Sequence, residues 1–185
     1  MKKLLAFVAM AVIAGTAMAQ TLSGVGVSYI YDVANDTWYQ AGGSGAWATG
    51  GAFEGHNFGS RGSLTLGGQV QTWAGGSPDT AATMFYSLDG GTTVGDMALS
   101  WLNNTGDNGN STWENVVGED VLAGAAPGTY TVDVWFNATQ GSTTVWDSAG
   151  DNYDATVTKP IPEPATMGLL GLGALALALR RKMSK

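Results

Sequence analysis

The stretch GTYTVDVWFNAT, residues 128–139, constrains this chain more than any other. Tyr130, Val132, Val134, Phe136 and Ala138 fall on one face of an extended strand. Thr131, Asp133, Trp135, Asn137 and Thr139 fall on the other. A period of two over this length does not fit an amphipathic helix, whose apolar positions recur every three to four residues. The apolar face needs a second layer to cover it. SLTLGGQVQTW, residues 63–73, repeats the pattern: Leu64, Leu66 and Val70 point in, and Gln69, Gln71 and Trp73 point out. The Gly67-Gly68 pair is a candidate bulge that would shift this register. Alternation and β-rich composition mark further strands at 27–32, 37–40, 83–88, 96–102, 142–147 and 152–158, with a hairpin closed near Gly141. Between them lie the turn signals LDGGTT, NNTGDNGNS, ATQGS and DSAGDN. Many short strands joined by short turns imply an all-β chain with a single antiparallel β-sandwich.

The two ends read differently. Lys2 and Lys3, then the apolar run 4–13, then Ala17 and Ala19 before Gln20, have the order of a Sec-type signal peptide over residues 1–19. At the other end, Pro162, Glu163 and Pro164 precede a run without charge or polar side chain at 167–179, followed by Arg180, Arg181 and Lys182. Thirteen helical residues span about 20 Å, short of the roughly 30 Å of a bilayer core. Including residues 165 and 166 and letting the arginines snorkel closes part of that gap. The run has no polar face, so a core helix here would need burial on every side. The reading is a single transmembrane helix at about 166–179, its cations on the cytoplasmic side.

Together, Pro162-Glu163-Pro164, the Gly/Leu/Ala-rich helix and Arg180-Arg181-Lys182 resemble a PEP-CTERM sorting signal, covering residues 160–185. The resemblance implies recognition by an exosortase, a membrane-embedded processing enzyme of Gram-negative bacteria that make extracellular polysaccharide. It implies cleavage near the Pro-Glu-Pro. The chain would be tethered for a time in the inner membrane, facing the periplasm, and then pass to the cell surface or extracellular matrix. The two prolines hold the segment extended and open to a protease. Residues 20–159 remain as one β-sandwich extracellular domain.

Removing the ends changes the charge. Six of the eight Lys and Arg lie there with one acid, Glu163, leaving Arg61 and Lys159 against fourteen acids, a formal charge of −12. Such a body repels nucleic acid and anionic membrane surfaces. There is no cysteine, which excludes disulfides, thiolate catalysis and Cys-type zinc sites. The single histidine, His56, lies among Gly, Asn and Glu, with no G-x-S-x-G elbow or second His to make it a general base.

Candidate ligand contacts are the outward indoles Trp135, Trp146 and Trp73. They either pack beneath a neighbouring strand or loop, or protect an edge, or form a stacking platform for sugar rings flanked by Asn, Gln and Asp. Much of the body resembles an uncharacterised β-sandwich module of bacterial secreted and surface proteins. Its closing WDSAGDNYDATV, residues 146–157, is similar to the D-N-x-G-x-x-Y ending of starch-binding modules, with Ser148 and Ala149 in place of the usual Asn-Asn-type pair. This resemblance implies fold more than ligand. Two acidic loops, residues 107–110 and the one carrying Asp147, Asp151 and Asp154, are read either as Asx turns or as a Ca²⁺ site needing six to eight oxygens. Neither matches the EF-hand pattern, and no other cofactor is implied.

Three functions follow. The first is an exported, non-enzymatic surface or matrix protein with a structural or adhesive role beside exopolysaccharide. The second is a dedicated carbohydrate-binding module using the outward indoles. The last is a hydrolase with paired carboxylates, Glu114 with Glu119 or Asp120, in an irregular stretch with no supporting base.

Overall fold

A computed structural model describes residues 22–43, 48–73, 80–90, 94–104, 110–147 and 152–162. They form ten strands: β1 (Gly24–Asp32), β2 (Thr37–Gly42), β3 (His56–Ser60), β4 (Thr65–Trp73), β5 (Thr80–Leu88), β6 (Val94–Asn104), β7 (Ser111–Asp120), β8 (Gly128–Gln140), β9 (Thr143–Trp146) and β10 (Tyr153–Lys159). A 3₁₀ turn at Val33–Asn35 joins β1 to β2. The chain is all-β, as the alternation implies. Among the described residues no helix is long and apolar enough to cross a membrane, and the apolar run 167–179 lies outside them. The signal-peptide residues Ala17 and Ala19 also lie outside the described residues, as do Glu163, Pro164, Arg180, Arg181 and Lys182.

The strands form one continuous curled sheet in the order β2-β1-β4-β7-β6-β5-β8-β10-β3, with β9 also on β8. The two layers expected of a sandwich are thus halves of one sheet. β6 makes the corner: Ala82 to Ser87 of β5 pair with its first half, and Ser111 to Glu114 of β7 pair with its second. This is how orthogonally packed sheets share a strand. The two sheet ends also approach each other. Residues 50–53 bond β2 through Gln40 N–H to Gly51 O and Phe53 N–H to Gln40 O, both 2.8 Å. The chain then continues into β3, which runs parallel to β10.

The core follows the alternation. Val132, Val134, Phe136 and Ala138 of β8 are buried with Leu64, Leu66, Val70, Met84, Leu122, Ala155 and Val157. The expected irregularity at Gly67-Gly68 lies on the facing strand instead. Leu66 pairs with Glu119 and Gly68 with Asn115, so residues 116–118 of β7 are looped out. Asn115 Oδ1 fixes that loop by accepting the Val117 and Gly118 N–H groups, both at 3.0 Å. A Cβ at Gly67 would lie 2.1 Å from Asn115 O, so only glycine permits this approach. The β7 ladder therefore shifts between Leu66 and Gly68, while on the other side Leu66 to Val70 pair with β1 without a shift, and Trp73 points outward as its alternation requires.

Candidate functional site

The outer face of the second half-sheet gathers three aromatic rings. Strand β8 turns Val132, Val134 and Phe136 into the core, so Asp133, Trp135 and Asn137 lie on the opposite face, where Asp133 and Trp135 are half-buried and Asn137 is buried. On β5, Ala82 and Met84 are buried, which sends Phe85 outward, directly opposite Trp135 in the ladder. Their rings lie 5.7 Å apart, within 10° of parallel. The β8–β9 hairpin turns at Gly141, whose φ of 57° suits glycine, and pairs Trp146 with Asn137. From there the Trp146 ring reaches to 5.8 Å from Phe85 while remaining 45 % exposed. Trp135 and Trp146 therefore share one patch, joined by a ring that the sequence does not advertise. Phe85 sits in TMFYSL among apolar neighbours on both sides, and only the ladder shows that it faces out.

Polar groups flank the rings. Asp96 of β6 lies opposite Phe85, and Thr83 opposite Asn137. On the other side Asp133 accepts from Ser87 Oγ at 3.3 Å and from Gly90 N–H at 2.9 Å. Asp154 stands opposite Asp133, and its N–H donates to Glu54 at 2.9 Å. That N–H favours the charged form of Glu54. The hydrogen bond with the Asp154 side chain, burial, and the charges of Asp154 and Asp133 outweigh it and raise the Glu54 pKa.

Trp73 does not join this patch. It lies on the outer face of the first half-sheet, 53 % exposed, with its indole over the start of β1. A Cβ at Gly26 would meet its Nε1 at 2.5 Å. The proposed cation ligands separate as well. Asp147 is buried beneath the sheet and accepts a short hydrogen bond from Ser28 Oγ. Asp154 alternates outward between buried Tyr153 and Ala155. Asp151 and residues 107–109 lie outside the described residues. Among the described residues, no group of three or more His, Asp or Glu side chains is arranged to hold a metal ion.

The carboxylates considered for hydrolysis have structural partners. Glu114 accepts from Gln69 at 3.2 Å and Glu119 from the Tyr86 hydroxyl at 2.9 Å. Asp120 accepts the N–H groups of Leu64 and Leu122 at 2.9 and 3.1 Å. Burial, then the Glu119 hydrogen bond, pushes Tyr86 up to about 12. These acids belong to β7, which corrects the expectation of an irregular stretch; the loop at 116–118 breaks its alternation. His56 lies in β3, in ring contact with Tyr39 at 4.4 Å and Phe58 at 4.7 Å. Desolvation lowers its pKa, against the raising effect of Asp32.

Beyond β10 the chain emerges as exposed Pro160, Ile161 and Pro162. A family model described as a PEP-CTERM protein-sorting motif matches residues 160–182. The chain carries this sorting motif. It marks an exported protein handled by an exosortase system, with the exosortase as processing partner at the membrane. The match begins one residue after the last strand, so the sorting motif adjoins the folded body directly. No curated protein matches the chain.

Proposed function

We propose that this is an exported, non-enzymatic surface or matrix protein whose β body adheres to extracellular polysaccharide. Residues 1–19 direct Sec export. The run at 166–179 tethers the chain in the inner membrane until the exosortase cuts it, and the body then passes to the cell surface or matrix. The observation that carries adhesion is the convergence of Phe85, Trp135 and Trp146 from three adjacent strands onto one outer face. Ring faces bounded by hydroxyl, amide and carboxylate groups suit the apolar faces and hydroxyl rims of sugar rings. A body of formal charge −12 favours neutral over acidic polysaccharide, since like charges repel.

Retention of the mature exported protein on insoluble neutral polysaccharide tests this. Trp135→Ala and Trp146→Ala should each lower retention about fivefold or more, on the scale of a lost aromatic contact of about 1 kcal/mol. Trp73→Ala should leave it unchanged. Equal retention by all four proteins would sink the adhesion reading.

A further inference from the structure

The fold ends abruptly at its sorting motif, and this gives one end of the body a second role. From Lys159, the last residue of β10, to Glu163 is four residues, a reach of at most about 14 Å. An enzyme that acts on the motif must therefore come within that distance of the body. One flank of the surface it meets is the turn at residues 123–127, because β10 lies beside the start of β8 with Lys159 opposite Gly128; the other flank is the end of β3, where Arg61 N–H donates to Thr158 O at 2.9 Å.

That turn is built rigidly and without charge. Residues 121–132 carry no charged side chain, although the body around them is strongly acidic. Val121 and Leu122 anchor the turn in the core at 4 % and 0 % exposure, while Ala123, Gly124, Ala126 and Pro127 are exposed. Ala123 N–H donates to Asp120 O at 3.0 Å, Ala125 N–H to Leu122 O at 3.1 Å, and the Tyr130 hydroxyl to Ala126 O at 2.7 Å. Charged groups at its base are committed inward. Lys159 Nζ donates to Leu122 O at 2.8 Å, Asp120 holds two backbone N–H groups, and Arg61 pairs with buried Asp32. Exposed Pro160, Ile161 and Pro162 continue from this same corner.

We infer that the turn at 123–127, with Pro160 to Pro162, is the seat for the exosortase-type enzyme that processes the motif. The inference rests on the sorting reading and adds that the body itself presents the motif. A small, uncharged, preorganised surface loses little on desolvation when a partner closes over it, whereas a charge placed there would be buried without a partner. The same docking would be hindered by either sign of charge and lost when the motif is moved away from the turn.

The test is a pulse-chase of the full chain in cells that process it, with mass spectrometry of the mature C-terminus. Ala126→Glu and Ala126→Lys should each slow processing about tenfold, while Ala126→Ser stays near wild type. Ser142→Glu, at the far hairpin turn, should have no effect. A six-residue Gly/Ser insertion after Lys159, which takes the motif off the turn, should itself slow processing of the wild-type chain, and Ala126→Glu should add no further loss in that background. Thermal unfolding of each variant checks that the body remains folded. Wild-type rates for either charged variant, or a wild-type rate for the chain carrying the insertion, would overturn the seat while leaving the sorting reading intact. A wild-type chain exported with its tail still ending at Lys185 would remove the sorting reading, and this inference with it.

Discussion

Two carboxylates are buried along the edge of this sheet, and they are held in opposite ways. Asp32, at the end of β1, has the guanidinium of Arg61 at 3.4 Å, the Asn35 amide at 2.6 Å and the Ala34 N–H at 3.2 Å. Asp147, after β9, is met by neutral groups. Ser28 Oγ donates to it, and that same oxygen accepts the Gly42 N–H at 2.9 Å. A Cβ at Gly42 would fall 2.1 Å from the Tyr153 hydroxyl and 3.0 Å from Asp147 Oδ1, so the glycine leaves the space in which these groups meet. The difference follows from composition. The body has two cations, and Lys159 is committed to a carbonyl, so one buried acid takes the arginine and the other must be satisfied by dipoles.

The sharpest way to break this comparison is Gly42→Ala. The methyl cannot fit unless the Tyr153 hydroxyl moves away, and it crowds Ser28 Oγ and Asp147 Oδ1 as well. We expect a loss of about 3 kcal/mol or more in urea unfolding, the upper range for overpacking combined with an orphaned buried polar group. Arg61→Ala should cost about 2 kcal/mol. Removing one partner of a buried pair costs more than that, but Arg61 is 25 % exposed and water replaces part of its effect. A larger loss from Arg61→Ala than from Gly42→Ala would invert the ranking and make the ionic site the dominant one.

The smallest effect is a pH dependence. Because the His56 pKa is lowered in the fold, the unfolded chain binds a proton first as pH falls. Its contribution is fully present above the ordinary value of about 6.5 and declines below it until the folded group also titrates. His56→Phe should flatten the stability profile over that interval in denaturant titrations. An unchanged slope would show that the carboxylates control it.

Much of this fold was legible in the sequence, and its gaps have physical causes. Eight of the ten strands announce themselves by alternation, and the inward sets of β4 and β8 are those found in the core. β3 buries Phe58 alone in a five-residue run, too little for a pattern. β7 has a looped-out segment in its middle, so its two halves do not share one period. The outward placement of Trp135 and Trp146 could be read from neighbouring residues, but their meeting at Phe85 depends on ladder register, a property of three strands at once. Asp147 misled because an acid among Asp, Gly and Asn looks like a solvated loop. Its burial is set by Ser28, more than a hundred positions away.

The way the chain passes from β2 to β10 has a consequence for life outside the cell. Gly51 and Phe53 occupy bonding positions along β2, and β3 is only five residues long, with Asn57 Oδ1 accepting the Gly59 N–H at 2.8 Å. Neither margin offers a long, flat row of unpaired backbone groups that another copy might extend. An exported protein, beyond the reach of cytoplasmic refolding machinery, benefits from margins that resist pairing with other copies. The short crossing at residues 50–60 acts as a hem on the cloth, keeping each molecule a separate piece.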